Sequence, residues 1–167
     1  MDKPTVVRDK NEISYFKLNN EINRVVNGNI DLKKDKEAVR ALFLEEINPN
    51  TVFFHTLDEK LNYLIRENYI DEDKLNMYDR KFIKKLMKQA YDKKFRFKSF
   101  MGAYKFYKQY AMKTNNGARY LERYEDRIVF CALDLAQGDK ELASNLVDEM
   151  INQRFQPATP KRIWASH

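Results

Sequence analysis

Thiols, imidazoles and clustered charges are the groups in this sequence that could carry chemistry, and they are few. Cys131 is the only cysteine. The thiolate is the form that attacks carbon or binds metal, and apolar surroundings disfavour it. Cys131 sits within the run IVFCALDLA, so it is read as a small buried hydrophobe. With one cysteine no internal disulfide can form, which fits a reducing compartment. His55 follows Phe53-Phe54 and could serve as a ligand or an acid–base group; a partly buried, hydrogen-bonded histidine is the plainer reading. His167 is the last residue and is read as frayed. Arg123, Glu125, Asp126 and Arg127 crowd together beside an apolar stretch, the pattern of a fixed ion-pair network, structural as readily as functional. Metal-ligand spacing, a P-loop and a dinucleotide glycine fingerprint are all absent from the sequence.

Charge offers a second kind of chemistry. Between Arg80 and Lys98 nine basic residues (Arg80, Lys81, Lys84, Lys85, Lys88, Lys93, Lys94, Arg96 and Lys98) face a single acid, Asp92. That stretch carries +8 in a chain of net +6, so the remainder is slightly negative. Such a stripe could hold the phosphates of nucleic acid or nucleotides. It could equally be the solvated face of an amphipathic helix. Tyr91, Phe95 and Phe97 interleave with the cations as stacking platforms can, although helical spacing turns Tyr91 toward a core.

These groups must be positioned by helices. Only 4 Gly and 4 Pro occur in 167 residues, too few for the turns of an all-β fold. Residues 1–12 read as a polar lead-in without signal-peptide character. Ile13 to Leu18 reads as a short strand or anchor, and Asn27-Gly28-Asn29 as a turn. Asp35 is expected to cap a helix through Asn48, with Val39, Leu42, Phe43 and Ile47 on its apolar face and Pro49 stopping it. Asp58 is expected to cap the next, burying Leu61, Leu64, Ile65 and Tyr69. A third begins near Arg80, with Phe82, Ile83, Leu86, Met87, Ala90 and Tyr91 at helical spacing and lysines opposite. Phe100, Ala103, Tyr104, Tyr107, Tyr110 and Ala111 trace a fourth, ended by Asn115-Asn116-Gly117. From Glu122 a helix apolar nearly all round should be central, with Gly138 at its C-terminus. Asp139 caps the last, which carries Leu142, Ala143, Leu146, Val147, Met150 and Ile151. Ile128, Ala132, Leu135, Leu146 and Met150 are the expected core of these last two helices. Pro157 and Pro160 bar further helix. The fold class is all-α, a compact helical domain of five to seven helices. No stretch approaches a membrane span, and a soluble cytoplasmic protein is expected.

Three long strings carry a family resemblance: KFRFKSFMGAYKFYKQYAMKTN (Lys94 to Asn115), YLERYEDRIVFCALDLAQGD (Tyr120 to Asp139) and DEMINQRFQPATP (Asp148 to Pro160). With KLNNEIN (Lys17 to Asn23), DKEAV (Asp35 to Val39) and NTVFFH (Asn50 to His55), they resemble class Ib ribonucleotide reductase large subunits, in the same order and at similar spacing. The resemblance runs from about Ile13 to Pro160. It implies a helical domain preceding a ten-stranded α/β barrel, in enzymes that reduce ribonucleoside diphosphates to deoxyribonucleotides for DNA synthesis. Residues 1–34 would be a lead-in resembling a remnant of an ATP-cone, 35–156 the helical domain, and 157–167 the approach to the barrel.

By the same resemblance Thr159 lies where the chain meets the barrel and helps bind the substrate diphosphate; a turn-forming Thr between two prolines is the other reading. No catalytic residue and no metal ligand is assigned in this chain. The complete enzyme would use a dimetal radical subunit, a dithiol reductant and nucleotide effectors. The partners implied are the rest of the large subunit and the radical-generating small subunit; neither a membrane nor nucleic acid is expected. Lys161 to His167 departs from the family, whose Thr-Phe-Leu-Asn-like continuation and redox cysteine do not follow. The resemblance is therefore expected to be truncated before the barrel, through a frameshift, an intervening sequence or a split gene. Three functions stay open: a reductase segment inactive alone, an independent basic module for nucleic acid or nucleotide, and a split-gene subunit completed by a separate barrel chain.

Overall fold

The computed structural model describes residues 32–152. Ile13 to Leu18, the Asn27-Gly28-Asn29 turn, Pro157, Thr159, Pro160, the tail and His167 lie outside the described residues. The described chain forms seven α-helices and no strand; its only ladder contacts are isolated bridges from Tyr120 to Thr51 and to Lys113. The all-α expectation holds. The chain divides into two compact units, one containing residues 32–50 and 97–108, the other 51–96 and 109–152.

In the first unit α1 (Leu32–Leu42) continues through a π turn (Phe43–Ile47) and a 3-10 turn (Asn48–Asn50). Ala38, Leu42 and Ile47 are buried. Asp35 is not the cap of this helix. It lies inside α1, and its buried carboxylate accepts the Phe100 amide at 2.8 Å. Phe100 opens α5 (Phe100–Lys105), so a carboxylate on one helix meets the unpaired amides at the start of another. Ser99 adds the local cap, accepting the Gly102 amide at 3.1 Å. Pro49 sits within the 3-10 turn rather than ending the helix outright. Proline has no amide to give, and the Asn50 side chain donates to the Glu46 carbonyl at 2.7 Å. A second π turn (Phe106–Tyr110) follows α5. Phe43 meets the Tyr107 ring edge-on with centroids 5.3 Å apart, and Lys108 pairs with Glu46 at 2.7 Å.

In the second unit α2 (Leu57–Arg66) is capped by Thr56, which accepts the Glu59 amide. Asp58 falls in its first turn and reaches Lys84 instead. The Thr-x-x-Glu spacing of Thr56 and Glu59 is the stronger local signal. A short α3 (Glu72–Leu75) leads to α4 (Arg80–Asp92), whose cap Asp79 accepts the Phe82 amide. Ile83, Leu86, Met87 and Ala90 form its buried stripe. The Asn115-Asn116-Gly117 segment does not end a helix. It turns a small loop in which Gly117 adopts φ +69° and the Leu121 amide returns to the Met112 carbonyl at 2.8 Å.

The central helix is α6 (Tyr124–Ala136), with Asp126, Ile128, Val129, Phe130, Cys131, Ala132, Leu133 and Ala136 buried. Gln137 and Gly138 leave it with positive φ, and the Tyr78 hydroxyl holds this exit, donating to the Leu133 carbonyl and accepting the Gly138 amide. Asp139 caps α7 (Lys140–Ile151) as expected. Ile128, Ala132 and Met150 are buried, but two expected core residues are not. Leu135 is 48% exposed: it shares the Ile128 and Ala132 face by spacing, yet lies in the last turn of α6, where the core no longer covers that side. Leu146 is half-buried against the core, behind the fully buried Ala143 and Val147. Leu142, at the start of α7, is exposed.

Candidate functional site

The densest polar cluster gathers where α6 begins. The Asp126 carboxylate stands at the third helical position and takes the Arg123 amide at 2.9 Å, as an acidic residue in a first helical turn can. The same oxygen accepts Lys60 Nζ from α2 at 2.7 Å, and the other accepts the Tyr91 hydroxyl from α4 at 2.8 Å. Asp126 is 2% exposed. A buried carboxylate is tolerable only when its lone pairs are met by donors, and here three donors, from α2, from α4 and from the residue that caps α6, meet two oxygens. Burial, reinforced by the neighbouring Asp126 charge, raises the Tyr91 phenol above its ordinary value, so the hydroxyl keeps its proton.

Glu122 extends the cluster. Its Oε1 accepts the Arg127 guanidinium at 2.8 Å and the Met112 amide at 3.0 Å, and Arg127 also donates to the Tyr110 carbonyl. The cluster thus ties α2, α4 and α6 to Tyr110, the last residue of the second π turn, and to Met112 beyond it. It binds its own helices together and offers neither an open coordination position nor a nucleophile.

The ion-pair network anticipated from Arg123, Glu125, Asp126 and Arg127 exists, but its main members differ. Glu122, Lys60 and the Tyr91 hydroxyl were missed. Lys60 lies 66 residues from Asp126, beyond any local pattern, while Glu122 stood directly before the charged run. Tyr91 does not sit in the core: the residue is 43% exposed, and its hydroxyl reaches Asp126. Cys131 is buried as expected, and burial pushes its thiol up to about 12, so it is neutral at pH 7. His55 is exposed, not half-buried; its backbone amide donates to Glu59 and its ring stands edge-on to Phe53.

The basic stripe behaves as a solvated face. Lys81, Lys84, Lys85 and Lys88 on α4 are exposed. Several stripe cations already have acids: Lys84 and Arg80 share Asp58, Lys88 pairs with Asp92, and Lys93 with Asp148. Among the described residues no group of three or more His, Cys, Asp or Glu could hold a metal ion, and no helix is long and apolar enough to cross a membrane.

Comparison with known proteins assigns the chain. The family model described as ribonucleotide reductase N-terminal matches residues 15–95, and that of the ribonucleotide reductase all-alpha domain matches 96–161. The ribonucleoside-diphosphate reductase subunit alpha of Bacillus subtilis is 53% identical over 146 residues, 87% of this chain and 21% of that protein. The nrdEB subunit alpha of Bacillus phage SPbeta is 52% identical over 147 residues, 88% of this chain and 14% of the relative. The Mycoplasma genitalium subunit alpha is 40% identical over 157 residues, 94% and 21%. The chain spans about a fifth or less of the length of these relatives. Two adjoining family models and these identities agree with the resemblance carried by the long strings, and the chain belongs to the ribonucleotide reductase large-subunit family, over its amino-terminal and all-alpha regions.

Proposed function

We propose that these residues form the amino-terminal helical region of a class Ib ribonucleoside-diphosphate reductase large subunit, an enzyme reducing ribonucleoside diphosphates to deoxyribonucleotides for DNA synthesis. The observation that carries this reading is the continuous family match over 15–161. Within it residues 35–156 would be the helical domain, 1–34 the ATP-cone-like lead-in and 157–167 the approach to a catalytic barrel. The helices would act as a platform, because the chemistry needs one cysteine to carry a radical and a pair to deliver electrons. The one thiol here is buried and neutral. The described residues do not fit a metal centre, so the dimetal group that generates the radical would belong to the small subunit. The barrel of the large subunit, that small subunit, a dithiol reductant and nucleoside diphosphates would be the partners, in the cytoplasm, where a lone thiol stays reduced.

A chimera tests the reading. Residues 15–160 of this chain replace the matching region of the Bacillus subtilis large subunit, assayed with that organism's small subunit. The chimera should retain deoxynucleotide production. In it Thr159→Ala should raise KM for the diphosphate with a smaller effect on kcat, if the Thr159 hydroxyl helps hold the substrate. A chimera that folds and binds the small subunit yet forms no deoxynucleotide would contradict the proposal.

A further inference from the structure

Among the described residues one buried side-chain oxygen has no hydrogen-bond partner, Glu122 Oε2. Glu122 is 1% exposed, and both donors that reach it, Arg127 Nε and the Met112 amide, converge on Oε1. The contrast with Asp126, four residues on, is direct. There three donors serve both oxygens, and the carboxylate is matched as an anion.

Two cations, Arg127 and Lys60, and one anion, Asp126, act on Glu122. Arg127 of α6 faces it directly. Lys60 of α2 lies within electrostatic reach but is already held by Asp126, whose own charge opposes ionisation of Glu122. From α4 comes the Tyr91 hydroxyl, bound to Asp126, and from the end of the second π turn and the residues after it come backbone groups of Tyr110 and Met112. The Cys131 thiol of α6 senses Glu122 and stays neutral. An ionised Glu122 would spread its charge over two oxygens and leave the buried Oε2 without a donor, an expensive arrangement. A neutral acid carrying its proton on Oε2 keeps both hydrogen bonds on Oε1 and removes the buried charge.

We propose that Glu122 is a proton-operated latch: protonated on Oε2 it fastens the Tyr110–Met112 segment to α6, and its ionisation loosens that attachment by drawing water to Oε2. Burial, opposed by Arg127, pushes this carboxyl up to about 7. The folded chain then holds a proton that the unfolded chain has already released. Stability is therefore greatest on the acid side, falls as pH rises from the ordinary glutamate range, and levels off above about 7.

The test compares denaturant midpoints of the 167-residue chain and Glu122→Gln between pH 5 and 8.5. Gln matches the shape of the neutral acid and cannot titrate, and taking the difference cancels every contribution the two chains share. The two should coincide near pH 5. Above it the folded-to-unfolded ratio of the wild type should drop by up to about tenfold per pH unit relative to the variant until neutrality. A variant less stable than wild type at pH 8, with a gap widening from pH 5, would mark an ordinary ionised salt bridge and overturn the proposal. A second measurement does not depend on the variant folding. The Met112 amide, which donates to Glu122, should titrate in the wild-type NMR spectrum with a midpoint near 7; a midpoint below 5 would equally overturn it.

Discussion

Two helices of equal length, α4 and α6, are built on opposite plans. Each has 13 residues. In α4 one stripe, Ile83, Leu86, Met87 and Ala90, is buried, and the lysines on the other side meet water or a nearby acid. In α6 eight residues are buried around most of the circumference, and one of them is the carboxylate Asp126. The stripe of α4 needs only helical periodicity to form. The enclosure of α6 needs neighbours on every side, and its charge survives burial only because Lys60 and Tyr91 arrive from distant parts of the sequence. Wide burial therefore requires specific polar partners for any charge it encloses, and one of them, the Tyr91 hydroxyl, comes from the edge of α4.

Core truncation should give the largest effect. Phe130→Ala in α6 should cost about 3–5 kcal/mol and Leu86→Ala in α4 about 2–5 kcal/mol, read by denaturant unfolding. If Phe130→Ala cost under about 1 kcal/mol, α6 would not be enclosed. Next, Asp126→Ala leaves Lys60 without its anion and should cost about 3 kcal/mol. That is the low end for a broken buried pair, since Lys60 keeps some contact with water. Lys60→Met paired with Asp126→Leu should recover much of that loss; a double variant as unstable as Asp126→Ala would show that the pair itself is not the cause. Smaller still, Leu146→Ala should cost about 1–2 kcal/mol, below the range of a fully buried leucine, and Leu135→Ala under about 0.5 kcal/mol as a surface change. The reverse order would move the core boundary at the end of α6. Smallest of all, Lys81→Gln with Lys85→Gln should shift stability by less than about 0.5 kcal/mol. Any DNA binding by the basic face should be weak and gone by about 0.2 M salt.

What could be read from the sequence follows the same division. The buried residues Leu61 and Leu64 of α2, Ile83, Leu86, Met87 and Ala90 of α4, and Ala143, Val147, Met150 and Ile151 of α7, together with the cap Asp139, were legible because each depends on residues three or four apart. Asp35 and Asp58 read as caps by residue type alone. In the fold one carboxylate serves the helix at Phe100 and the other serves Lys84, choices that tertiary neighbours make. Leu135 obeyed the periodicity and still lies outside the core, since spacing says nothing about where the covering elements stop. The candidate site was half visible. Asp126 and Arg127 stood out as crowded charge, but Lys60 and Tyr91 could not be linked to them across the sequence. Glu122 lies just beyond the loop at Asn115-Asn116-Gly117, which reads as a helix end in the sequence and closes on Met112 in the fold. Family membership needed none of this geometry, because long strings in a fixed order carry it directly.

Under the proposed function these residues would support chemistry that they do not themselves perform. The direct measurement is deoxynucleotide formation by the purified 167-residue chain mixed with a class Ib radical-generating subunit, a dithiol reductant and ribonucleoside diphosphates. No deoxynucleotide should form, since the lone thiol, Cys131, is buried on α6 and held neutral. Turnover that survives removal of any other large-subunit protein, and is lost in Cys131→Ser, would contradict the account and place the chemistry within these helices.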